Sequence, residues 1–183
     1  MRIILSILAA LLTGAAVAQE AAEDPPLREL SHDLNGDGRA EVFTLIEQDA
    51  GPTDLRVSGT GGLDVTGPAL GTSGEGAQAP ILALDGQGRV QVTSFHDVEG
   101  QTRWTVTLTI DFPDGSYRVA GYRFVWWDQY DPTIFGFCDL DLRAGTGTIQ
   151  QGAERTHRID TEIPTLPITL WAETDKVFPV DCS

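Results

Sequence analysis

Oxygen-bearing side chains stand at alternate positions in Asp33-Leu34-Asn35-Gly36-Asp37-Gly38-Arg39-Ala40-Glu41, and a further carboxylate closes the run. Residues of these types at this spacing wrap a chain around a hard cation, and Ca²⁺ takes about six to eight oxygens at roughly 2.3–2.6 Å. Asp33, Asn35 and Asp37 are expected to supply side-chain oxygens. Gly38 makes the sharp turn, Arg39 offers its backbone carbonyl, and Glu41 completes the shell directly or through water. Ca²⁺ is therefore the expected cofactor. The bland reading is an Asn-Gly/Asp-Gly hairpin whose carboxylates face water.

The loop is not a helix–loop–helix calcium hand. Counted from Asp33, position 12 is Thr44, where such a hand carries a bidentate Glu, and the chain runs on into the β-rich stretch Val42 to Ile46. The pattern resembles the calcium loops of FG-GAP and VCBS-type repeats, in which D-x-N-x-D-G-x-x-[DE] lies between two strands. That resemblance covers residues 28–47 and implies that Asp33, Asn35, Asp37 and Glu41 face one Ca²⁺. It is present in one copy. A propeller needs several blades of about 40–50 residues, so a full propeller is not expected.

Other chemistry-bearing residues are sparser. In Trp126-Trp127-Asp128-Gln129-Tyr130-Asp131, adjacent tryptophans on a strand point to opposite faces, so one is core and the other free to meet a ligand. Trp126, Trp127, Asp128 and Asp131 are the candidate ligand-contact residues, suited to stacking on a sugar ring or anchoring a protein; the alternative is that loops cover both rings. Asp139 and Asp141 alternate with the core side of their strand and are expected on a solvated face. The doublets His32-Asp33 and His96-Asp97, with His157, match no zinc spacing. No phosphate loop, dinucleotide fingerprint, H-E-x-x-H or nucleophile elbow is present, and no catalytic residue is assigned.

Cys138 and Cys182 are the only two cysteines. Far apart and without the C-x-x-C of a redox centre, they are expected to form a structural disulfide that pins the C-terminal tail to the strand carrying Cys138.

These residues need elements to position them, and the pattern is β throughout. Val42 to Ile46 is a strand run, with short candidates at 54–58 and 63–66 in a glycine-heavy stretch and loops at 59–62 and 71–76. Residues 80–84 and 89–93 flank Asp85-Gly86-Gln87-Gly88 as a hairpin. Arg103 to Ile110 alternates polar and apolar with period two, and Phe112-Pro113-Asp114-Gly115-Ser116 returns the chain through Tyr117 to Trp126. Further candidates are 134–142, 146–150 and 167–172. The segment Trp104 to Gly147 resembles small uncharacterised secreted bacterial β-proteins sharing "dG-x-Y-x-[VL]-x-G-Y" and "D-L-x-x-G-x-G" turns, here Asp114 to Tyr122 and Asp141 to Gly147, which supports the fold class alone. The expected architecture is all-β: a single-domain antiparallel sandwich, or an open barrel or twisted sheet stack, over residues 28–183.

The N-terminus reads as a cleavable signal peptide. Arg2 precedes an apolar run of about ten residues, too short to span a bilayer, and Ala16-Val17-Ala18 places the cut after Ala18. Residues 19–27 are polar and Ala/Pro-rich, a disordered lead-in. A periplasmic or secreted location follows, without a membrane anchor. The formal charge of −15 repels nucleic acid and anionic membranes. The expected function is an exported, calcium-stabilised β domain that binds a protein or glycan. The rival is a secreted hydrolase of glycan or cell wall working through paired carboxylates, with catalysis the less favoured of the two.

Overall fold

The computed structural model describes residues 28–49, 52–71, 78–98, 100–174 and 182. The signal segment 1–18, the lead-in 19–27 and nearly all of the 71–76 loop lie outside them.

The chain forms two antiparallel sheets. The first has four strands in sequence order: β1 (Glu29–His32), β2 (Glu41–Ile46), β3 (Thr53–Ser58) and β4 (Asp64–Gly71). The second meanders through β5 (Ile81–Leu84), β6 (Val90–His96), β7 (Thr102–Asp111), β8 (Arg118–Asp128), β9 (Phe135–Asp141), β10 (Thr146–Gln151) and β11 (His157–Asp160). A two-residue strand, β12 (Leu166–Pro167), pairs with the start of β8, where β9 has not yet begun to pair. Neither sheet closes into a barrel.

Alternation decides which residues meet between the sheets. On β2, Glu41, Phe43 and Leu45 are buried and the residues between them half-buried; β3 repeats the pattern with Thr53, Leu55 and Val57. Opposite them the second sheet contributes Val90, Val92, Leu108, Ile110, Val119, Tyr122, Cys138 and Leu140 to one continuous apolar cluster. The all-β sandwich expected from the period-two pattern is the fold observed.

Four elements differ from expectation. The candidate at 63–66 runs on to Gly71 through a register shift opposite Thr53 and Leu55. The short edge strands β1 and β11 carry almost no apolar alternation (their burial is mainly intermediate to exposed). The expected strand at 167–172 is instead a 3-10 helix, Ile168–Thr174. Ile168 is fully buried and Trp171, three residues on, packs against the same core, while Leu170 is exposed. That i, i+3 spacing is the repeat of a 3-10 turn.

Candidate metal centre

The loop Asp33 to Ala40 joins β1 to β2, closed by the pair His32 and Glu41. Gly36 and Gly38 take φ of +74° and +84°, left-handed values that let the loop curl inside its own carboxylates. Asp33 Oδ1 accepts the N–H groups of Gly36 (2.8 Å) and Asp37 (3.1 Å), and Oδ2 that of Gly38 (2.9 Å). Asn35 Oδ1 accepts the Asp37 N–H and Asp37 Oδ1 the Arg39 N–H, both at 2.8 Å.

Glu41 differs in kind. It lies on the inward face of β2 and is only 2% exposed, with Oε2 accepting the Leu34 N–H at 2.8 Å. Asp33, Asp37 and Glu41 bring carboxylate oxygens within 4.8 Å of one another. Oxygens that share an ion at about 2.5 Å stand at most about 5 Å apart, and the three carboxylates meet that requirement. Among the described residues no Arg, Lys or His forms an ion pair with any of them. Arg39 directs its guanidinium to Thr60 Oγ1 at 3.5 Å. Of the expected donors, Asp33, Asp37 and Glu41 converge, Asn35 lies in the same curl, and Arg39 is fixed there through its N–H.

The Asp85 turn shows what an aspartate turn looks like when the chain supplies its own cation. Asp85 Oδ1 accepts the Gln87 and Arg89 N–H groups at 2.8 and 2.9 Å, and Oδ2 meets Arg89 Nε at 2.7 Å. Burial alone would raise the Asp85 carboxyl, but those hydrogen bonds and the Arg89 charge outweigh it, and the net shift is downward.

A residue that sequence spacing did not reveal faces the loop. Tyr117, in the turn between β7 and β8, is buried, with its ring against Phe112 (centroids 4.7 Å apart) and edge-on to Phe43 of β2 (6.1 Å). Its hydroxyl lies beside Asn35 and Glu41, close enough to feel both, yet Oη makes no hydrogen bond of good geometry. Burial first, and the Glu41 charge second, push the phenol up to about 12. Only the fold brings Tyr117 here: it is 76 positions from Glu41 in the chain. A cleft of about 310 Å³ opens beside it, lined among others by Asn35, Leu63, Phe112, Pro167 and Ile168.

No protein-family model matches this chain, and no curated protein or solved structure matches it.

The tryptophan segment lies in the other sheet, on β8 and the turn after it. Trp126 is half-buried, its indole over Gly136, where an added Cβ would lie 2.7 Å from the ring nitrogen. Trp127 points to the opposite face, 37% exposed, with Tyr130 and Ile134 exposed beyond it. Asp128 and Asp131 hold the turn together. Asp128 Oδ1 accepts the Tyr130 (2.7 Å) and Asp131 (2.9 Å) N–H groups and Oδ2 the Gln101 amide; Asp131 Oδ1 accepts the Thr133 N–H and hydroxyl at 2.9 and 2.7 Å. The Tyr130 N–H leads in holding Asp128 below the usual carboxylate range, and the Thr133 hydroxyl does the same for Asp131. A further aromatic contact was not expected: His96 stacks on Trp104 at 5.4 Å, in the row that continues to Trp126. Asp139 pairs with Arg123 at 2.9 Å, Asp141 caps the N–H groups of Arg143 and Ala144, and Asp97 accepts the Gln78 N–H.

Proposed function

We propose that the Asp33–Glu41 loop holds Ca²⁺, and that the protein acts outside the cytoplasm as a calcium-stabilised β domain that binds a protein or glycan. One observation carries the calcium reading: a buried glutamate converges with two aspartates, and among the described residues no cationic side chain forms an ion pair with them. Like charges crowded at an apolar boundary are costly unless a counter-charge joins them. The oxygen-only donor set favours a hard cation, and the resemblance to FG-GAP-type loops points to the same ion. The location rests on the signal-like N-terminus and agrees with the Cys138–Cys182 disulfide. Among the described residues no helix is long and apolar enough to cross a membrane.

The binding role rests on Trp127 and Tyr130, rings that present faces to solvent at one end of the larger sheet. The hydrolase reading has less behind it. Asp128 and Asp131 are committed to turn hydrogen bonds and held ionised, whereas a general acid needs a carboxyl pushed up.

Thermal melting with Ca²⁺ and with EDTA tests the ion. At a free concentration a hundred times Kd, binding adds about 2.7 kcal/mol, equivalent to a midpoint higher by roughly 5–10 °C in a domain of this size. Glu41→Gln should abolish that rise and leave the EDTA midpoint unchanged or higher, because it removes a buried charge. Equal wild-type midpoints in Ca²⁺ and EDTA would remove the ion from the account.

A further inference from the structure

The buried Tyr117 hydroxyl lies beside Asn35 and Glu41, the side chains that would carry the cation, without a hydrogen bond of good geometry to either. A buried hydroxyl left unpaired costs on the order of 1–3 kcal/mol, and folds seldom leave one without a use. Its ring is held between Phe43 of the first sheet and Phe112 of its own turn. Tyr117 is also tied at its backbone, its carbonyl accepting the Ile168 N–H at 3.0 Å. Ile168 in turn lies against Gly67 of β4, where an added Cβ would meet its carbonyl oxygen at 2.9 Å. From the cation loop, contact therefore passes through Tyr117 to Ile168 and back to the first sheet.

We infer that Tyr117 completes the outer shell of the cation at Asp33–Glu41, its hydroxyl donating to a Glu41 carboxylate oxygen or an ion-bound water once the ion has drawn the loop into place, so that cation binding clasps the two sheets together at this end. The inference rests on the calcium reading of the loop. Tyr117 is a positioning residue in this account, orienting a ligand without touching the ion. Outer-shell partners of metal ligands typically contribute 10–100-fold in metal affinity. The aromatic contacts of Tyr117 belong to the metal-free fold as well, and Phe at this position keeps them.

The experiment compares wild type with Tyr117→Phe, measuring Ca²⁺ affinity by calorimetry and melting midpoints in EDTA. The expected result is an affinity about 10–100-fold weaker in Tyr117→Phe with an EDTA midpoint equal to or above that of wild type. Unchanged affinity would overturn the inference and leave the calcium reading standing, as would a lower EDTA midpoint with intact affinity, the mark of a purely structural tyrosine. Failure of wild type to bind Ca²⁺ would instead remove the calcium reading itself. Should the variant not fold, amide hydrogen exchange on wild type decides: Ca²⁺ should slow exchange in the Phe112–Tyr117 turn and at Ile168 as well as in the loop. Slowing confined to Asp33–Glu41 would overturn the clasp.

Discussion

Aspartates in turns do two jobs in this protein, and what surrounds them separates the two. Asp128, Asp131 and Asp141 each close a turn by accepting backbone N–H groups. Asp85 does the same and adds its own counter-ion, Arg89. Asp33 makes similar hydrogen bonds, but Asp37 and a buried Glu41 join it, and among the described residues no arginine pairs with it. The difference has a pH signature at Asp85. Its folded pKa lies below the ordinary value of 3.8, so the folded state favours the ionised form. The resulting stabilisation is present above that ordinary value and is lost as pH falls through the depressed folded pKa. Asp85→Asn keeps a backbone acceptor and loses the charge facing Arg89. Denaturant melts of wild type and Asp85→Asn from neutral pH down to about pH 2 should show a gap that is widest at neutral pH and narrows below pH 4. A gap constant across that range would mean that the Arg89 ion pair contributes nothing.

At the scale of elements, what could be read in the sequence is what the side chains had to declare. Arg103 to Ile110 declares a strand because one face must enter the core, and the same holds for Val42 to Ile46 and for the Asp85 hairpin. The edge strands Glu29–His32 and His157–Asp160 bury little, so their residues answer to backbone pairing and solvent and carry no period. Short, charged edges of this kind also resist pairing with other chains. Ile168 to Trp171 misleads for the opposite reason: β-favouring residues coil because Gly67 leaves room for Ile168 to dock as the first residue of a tight turn. The convergence of Asp33, Asp37 and Glu41 was legible, since they lie within nine residues; Tyr117 beside them was not, since only the stacking of two sheets brings it there. Glycines that admit a close neighbour are likewise visible only in the fold. At Gly147 of β10 an added Cβ would lie 2.6 Å from the Asp139 carbonyl oxygen and 2.5 Å from Leu140 Cδ2. The obstacle is partly backbone of the paired strand, which cannot rotate aside. Gly147→Ala should therefore destabilise by about 1–3 kcal/mol, read as a lower urea midpoint with unchanged slope. A neutral result would show that β9 and β10 shift apart freely, against their continuous six-pair register.

The molecule as a whole is a sandwich with unequal sheets, four strands facing a wider one, and its covalent link lies on the larger side. Cys138 sits on β9, fully buried in the core, and bonds Cys182 across 44 residues with Cα atoms 5.3 Å apart. The bridge therefore ties the C-terminal end to the middle of the larger sheet and leaves the joining of the sheets to packing and, on the clasp inferred above, to the cation. Closing a loop of that length in the unfolded chain is worth about 4 kcal/mol in the chain-entropy model, a sizeable share of the 5–15 kcal/mol typical of a domain. How much of it appears depends on the reduced native state. Ile168 and Trp171 enter the core through their own side chains, so β12 and the 3-10 helix should stay in place on reduction. Urea unfolding of Cys138→Ser/Cys182→Ser should accordingly show a loss of about 2–4 kcal/mol, with Ca²⁺ affinity unchanged because Tyr117 remains held through Ile168. A loss of affinity alongside stability would show that the anchorage of Ile168 depends on the bridge, and that the two ends of the sandwich are coupled through the C-terminal segment.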